Sequence, residues 1–153
     1  MLAAFLVAYY GNDRQYYFTP AEVAAAKYLY SHAPNNSLLI EGTRNSPGQF
    51  KNYERFEYVT LSREPRQSSA RVLARPASVL SDWMSAPGHR AAYVFITRGQ
   101  KAEVNSLGAL PRGSLTRLER TLLGSPEFRV VYRNRDATIF SLASQPGDQR
   151  AAR

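Results

Sequence analysis

The sequence predicts a single α/β domain, a three-layer Rossmann-like sandwich whose mostly parallel sheet ends in an antiparallel C-terminal hairpin. Three observations predict it. Apolar runs at Leu38-Leu39-Ile40 and Ala91-Ala92-Tyr93-Val94-Phe95-Ile96 have the continuous hydrophobicity of strands buried on both faces. Helical patterns alternate with these runs, the order that covers a parallel sheet on both sides. The last two strand-like runs, Phe128 to Arg133 and Ala137 to Leu142, are separated only by Asn134-Arg135-Asp136, a hairpin turn.

Residues 1–18 form an apolar lead-in. Met1 to Tyr10 carries no charge and then gives way to Gly11-Asn12-Asp13-Arg14. Ten residues fall short of the roughly 20 that span a bilayer, and no basic stretch precedes them, so a signal peptide fits poorly. The run reads as a core or amphipathic helix, or as the end of a transmembrane helix with its tyrosines at the interface.

Thr19-Pro20-Ala21-Glu22 is a capping box with proline at the first helical position, opening an alanine-rich helix to about His32. Val23, Ala26, Lys27 and Tyr30 mark one face of it. Pro34-Asn35-Asn36 turns the chain into the first strand. Residues 42–55 form a long polar loop carrying Phe50 and Tyr53, and residues 56–61 alternate weakly as a second strand. Residues 62–75, rich in Ser, Arg, Gln and Pro, read as an exposed connection.

Pro76 opens a second helix to about Ala86, with Val79, Leu80, Trp83 and Met84 on one face, ended by Pro87-Gly88. After the strand at 91–97, residues 98–113 read as mostly irregular with a helical turn at 101–107. Ser114 is the expected N-cap of a third helix over 115–123. The α/β domain thus spans 19–143, and 144–153 form a polar tail.

Composition bounds the chemistry. The chain has 153 residues, 44% hydrophobic and 21% charged, enough for one packed core. Its net charge is +8, and 17 of its 20 basic residues are arginine. Arginine suits planar pairing with phosphate or carboxylate; the competing reading is a solvated surface. No block of consecutive bases resembles a nucleic-acid arm. With no cysteine, disulfide and thiol-nucleophile chemistry fall away. His32 and His89 have no metal-ligand spacing, and no cofactor is expected. The glycines form neither dinucleotide fingerprint nor P-loop, and no G-x-S-x-G elbow occurs.

Ligands of open α/β sheets bind outside the carboxyl ends of strands. Glu41, Thr43, Arg44 and Asn45 follow one strand, and Thr97, Arg98 and Lys101 follow another. With Tyr53, Glu54 and Arg55 from the long loop they are predicted to line one polar crevice that binds the ligand. Glu41 and Glu54 admit two readings, an acid-base couple or loop-locking salt bridges with Arg44 and Arg55. The aromatic residues either stack on sugars or bases or pack beneath loops. No residue is assigned a catalytic role.

Residues 9–29, from Tyr9-Tyr10-Gly11 through Thr19-Pro20-Ala21-Glu22 to Tyr28-Leu29, together with Glu41-Gly42-Thr43-Arg44-Asn45, resemble the water-soluble C-terminal region of bacterial multi-pass membrane glycosyltransferases of the GT-C class. The likeness lies in element order over most of the chain. It implies an extracytoplasmic α/β domain at the cell membrane, attached to membrane-embedded helices of the same polypeptide. It further implies transfer of sugar from a lipid-linked donor by a catalytic acid outside this chain, with this domain binding acceptor glycan or donor phosphate, or bracing the membrane part. The rival expectation is a free-standing Arg-rich module for nucleic acid or another anion, whose affinity falls steeply with salt. A third is a small independent hydrolase or transferase using Glu41 and Glu54.

Overall fold

The computed structural model describes residues 17–47 and 53–144. Most of the apolar lead-in and nearly all of the tail lie outside those residues. The elements are α1 (Pro20–His32), β1 (Ser37–Glu41), β2 (Phe56–Thr60), α2 (Arg66–Ala74), α3 (Pro76–Ser85), β3 (Ala91–Thr97), α4 (Arg98–Leu107), α5 (Ser114–Leu123), β4 (Phe128–Arg133) and β5 (Ala137–Leu142), with 3-10 turns at Tyr53–Arg55 and Leu61–Arg63.

The five strands form one mixed sheet in the order β2-β1-β3-β5-β4. β1 runs parallel to both β2 and β3. β5 runs antiparallel to β3 and to β4, so it alone is reversed and the hairpin closes one edge. This is the predicted α/β architecture.

Strand alternation sorts the core into two layers. Leu38, Ile40, Val94, Ile96 and Phe140 point to one face, where α2 to α5 cover them with Val72, Leu80, Val104, Leu115, Leu118 and Leu122. Leu39, Phe95 and Ile139 point to the other, where α1 covers them with Ala25, Ala26 and Leu29. The small alanines of α1 let the helix lie close against the large strand side chains.

Three segments depart from expectation. Residues 66–74, expected as an exposed connection, form α2. Their polarity misleads because only Ser69 and Val72 are buried, one turn apart, while Arg66 and Arg71 face water. Residues 98–107, expected as mostly irregular, form α4, capped by the Thr97 hydroxyl at the Gln100 amide (3.2 Å) and ended by Gly108 in the left-handed region (φ 69°). Gly113, at φ 70°, takes the N-cap position of α5, and Ser114 is its first helical residue.

Candidate functional site

The chain leaves β1 toward β2 on one side and leaves β3 toward the hairpin on the other, so the carboxyl ends of β1 and β3 flank the switch point of the sheet. The expected crevice belongs there. The parallel register sets Glu41 beside Phe95 and brings the two following loops together. Asn45 donates to the Gly99 carbonyl at 3.3 Å, and the Gly42 amide donates to Gln100 Oε1 at 3.2 Å. Glu41 and Thr97 end these two strands, and Thr43, Arg44, Asn45, Arg98 and Lys101 follow them.

Tyr53, Glu54 and Arg55 do not join them. Phe56, the residue after this turn, pairs with Ser37, the first residue of β1, and so the turn lies at the opposite end of the sheet. There Arg55 Nε donates to Asn35 Oδ1 at 2.6 Å, and its terminal nitrogens reach the Tyr30 and Ala33 carbonyls, each at 3.5 Å. The Tyr53 ring stacks on Tyr58 at 4.1 Å, and the Tyr58 and Tyr30 hydroxyls are hydrogen-bonded at 2.5 Å. The rings of Tyr30, Tyr53, Phe56 and Tyr58 thus pack against one another, with Tyr53 still 41% exposed. The parallel register starts β2 opposite the first residue of β1, so the residues just ahead of β2 are carried a full strand length from Glu41. A Glu41/Glu54 acid-base couple is excluded on that ground.

The strand-end residues are engaged with one another. Glu22, wholly buried in the first turn of α1, accepts from the Gly99 amide at 2.6 Å and from the Thr19 amide at 2.9 Å. The carboxylate thus occupies the N-terminus of α4, where a bound anion would otherwise be stabilised. Arg98 Nη2 lies 3.8 Å from Glu22 Oε2 and donates to the Tyr17 carbonyl at 3.2 Å. Lys101 pairs with Glu119 at 2.6 Å, and the other oxygen of Glu119 accepts from the Thr138 hydroxyl at 2.8 Å. Asp136 accepts from the Thr19 hydroxyl at 2.7 Å, tying the hairpin turn to the cap of α1.

Glu41 is 3% exposed and accepts from the Ser46 hydroxyl at 2.6 Å. Burial pushes its carboxyl up to about 7, against the opposing pull of the Ser46 hydrogen bond and the Arg44 charge. Gly42 has no room for a side chain, because a Cβ there would meet Leu115 Cδ1 at 2.4 Å. Among the described residues no group of three or more acidic or histidine side chains is placed to hold a metal ion.

Sequence reasoning missed the central group, Glu22. Its capping-box signature was visible, but its second role depends on Gly99 lying against the start of α1, which only the tertiary packing creates. Asp136 was visible only as part of the hairpin turn, and Glu119 and Gln100 were not singled out. Comparison with known proteins finds no matching family model, curated protein or solved structure.

Proposed function

We propose that this domain is a non-catalytic part of a membrane glycosyltransferase of the GT-C kind, placed on the extracytoplasmic side, where it braces the membrane-embedded helices and stands beside the lipid-linked donor or acceptor glycan. The observation that carries the non-catalytic reading is the internal neutralisation of the strand ends. Glu22 is committed to Gly99 and Arg98, Glu119 to Lys101 and Thr138, and Glu41 to Ser46. The groups that shift Glu41 are its burial, the Ser46 hydroxyl and the Arg44 charge, with no second carboxylate among them. The attachment to a glycosyltransferase rests on the sequence resemblance at residues 9–29 and 41–45. A net charge of +8 supports a position near anionic lipid.

The test is transfer of radiolabelled sugar from a polyprenyl-phosphate donor by membranes carrying the whole polypeptide, with and without this domain. Transfer should fall at least tenfold without it, and the isolated chain should turn over nothing. Turnover by the isolated chain, or unchanged transfer without the domain, overturns the reading.

A further inference from the structure

On the four-helix face, the junction of α2 and α3 and the flank of α5 enclose an open groove of about 490 Å³, within the roughly 300–1,000 Å³ of small-ligand sites. Arg75 and Arg117 line it, together with the hydroxyl residues Ser78 and Thr121, above a floor that includes Pro76 and Leu118. Glu127 is the one acidic residue in its lining.

The arginine at the junction is held in place by its backbone. Arg75 ends α2 and begins α3: its amide donates to the Arg71 carbonyl at 3.0 Å, and its carbonyl accepts from Val79 at 3.2 Å. Arg117 is steadied by a hydrogen bond from Nη1 to the Arg112 carbonyl at 3.3 Å, which leaves the rest of its donor fork available. Among the described residues neither guanidinium has a carboxylate partner. This distinguishes them from Arg98 and Lys101, which are already neutralised. Two like charges lining one concavity repel, and an anion between them adds two attractions at shorter range that offset the repulsion.

We propose that this groove binds a phosphate-bearing anion, a phosphomonoester or diphosphate, clamped between the Arg75 and Arg117 guanidiniums with the Ser78 hydroxyl as a further donor; the Thr121 hydroxyl is already donated to the Arg117 carbonyl at 3.0 Å. Guanidinium forks match the geometry of phosphate oxygens. Glu127 sets an upper limit on affinity by opposing the ligand's charge. The assignment does not depend on the glycosyltransferase reading, since the groove shares no residue with the strand-end cluster.

The experiment is titration of the chain with sodium pyrophosphate in low-salt buffer, followed by calorimetry and by amide chemical shifts of residues 75, 77, 78 and 117–121. Saturable binding is expected. R75A/R117A should weaken it at least tenfold with thermal stability retained, and E127Q should strengthen it several-fold. R63A/R90A removes the same charge from exposed arginines outside the groove and should leave binding within twofold. A parallel titration with vesicles containing an anionic phospholipid identifies the source: protection of the same amides by vesicles assigns a lipid headgroup, and protection by pyrophosphate alone assigns a soluble phosphate. Absence of saturable binding to either probe, or equal loss in R63A/R90A and R75A/R117A, overturns the proposal.

Discussion

Glu22 in the first turn of α1 accepts a hydrogen bond at 2.6 Å from the amide of Gly99, 77 residues further along the chain. That bond joins the helix on one face of the sheet to the strand-to-helix corner after β3. The same carboxylate closes the capping box with Thr19 and lies beside Arg98. One buried acid therefore ties together two backbone segments, the start of α1 and the start of α4. A Cβ at Gly99 would sit 3.0 Å from this carboxylate, so the close approach requires the absence of a side chain there.

Replacing Glu22 by Ala should destabilise the fold by roughly 2–4 kcal/mol, because the Gly99 and Thr19 amides lose their acceptor. Glu22→Gln keeps one carbonyl oxygen and should cost less than Ala. Chemical denaturation measures both, and a Glu22→Ala change within 0.5 kcal/mol of the parent would remove Glu22 from its central place.

Glu41 makes stability pH-dependent. Its folded value of about 7 lies above the ordinary 4.5, so between those values the folded chain holds a proton that the unfolded chain releases. Stability from this group is complete below about pH 4.5 and falls as pH rises toward and past 7, by about 3 kcal/mol in total. Glu41→Gln, which still accepts from Ser46, should flatten that part of the curve. Urea unfolding at pH 5, 6, 7 and 8 checks the slope.

Arg98→Ala should cost on the order of 1 kcal/mol. Its partly exposed guanidinium gains little from Glu22 in water but gives up the bond to the Tyr17 carbonyl. Neither Arg98→Ala nor Lys101→Ala should alter pyrophosphate affinity beyond twofold, since each cation is already paired. Calorimetry of the single variants distinguishes this from the crevice expected from sequence.

Gly42→Ala should destabilise by about 1–3 kcal/mol through its clash with the Leu115 methyl groups. Leu115→Ala alone should cost about 2–5 kcal/mol. Combined, the two should cost clearly less than their sum, because the alanine methyl enters space that leucine has vacated. Additive losses would show that the two positions do not meet.

The periodicities at 20–32, 38–40, 76–85, 91–97 and 128–142 were enough to predict the layers and the closing hairpin. Each of those segments buries a continuous apolar face, and that is the property a local pattern records. α2 escaped because it buries little more than Ser69 and Val72, and α4 because most of its apolar signal is Val104. The location of Glu41 and Arg98 at adjacent strand ends was likewise legible, since both directly follow apolar runs.

By itself the sequence determined the five strands, the helices at 20–32, 76–85 and 114–123, and that a polar group follows β1 and β3. Only the tertiary structure decided what those polar groups meet. A parallel pairing places Ser37 against Phe56, and this sends Tyr53, Glu54 and Arg55 to the far end of the sheet from Glu41. Packing of α1 brings Glu22 to Gly99. Register and packing are long-range choices governed by which apolar faces can be buried together, and the charges are distributed as a consequence.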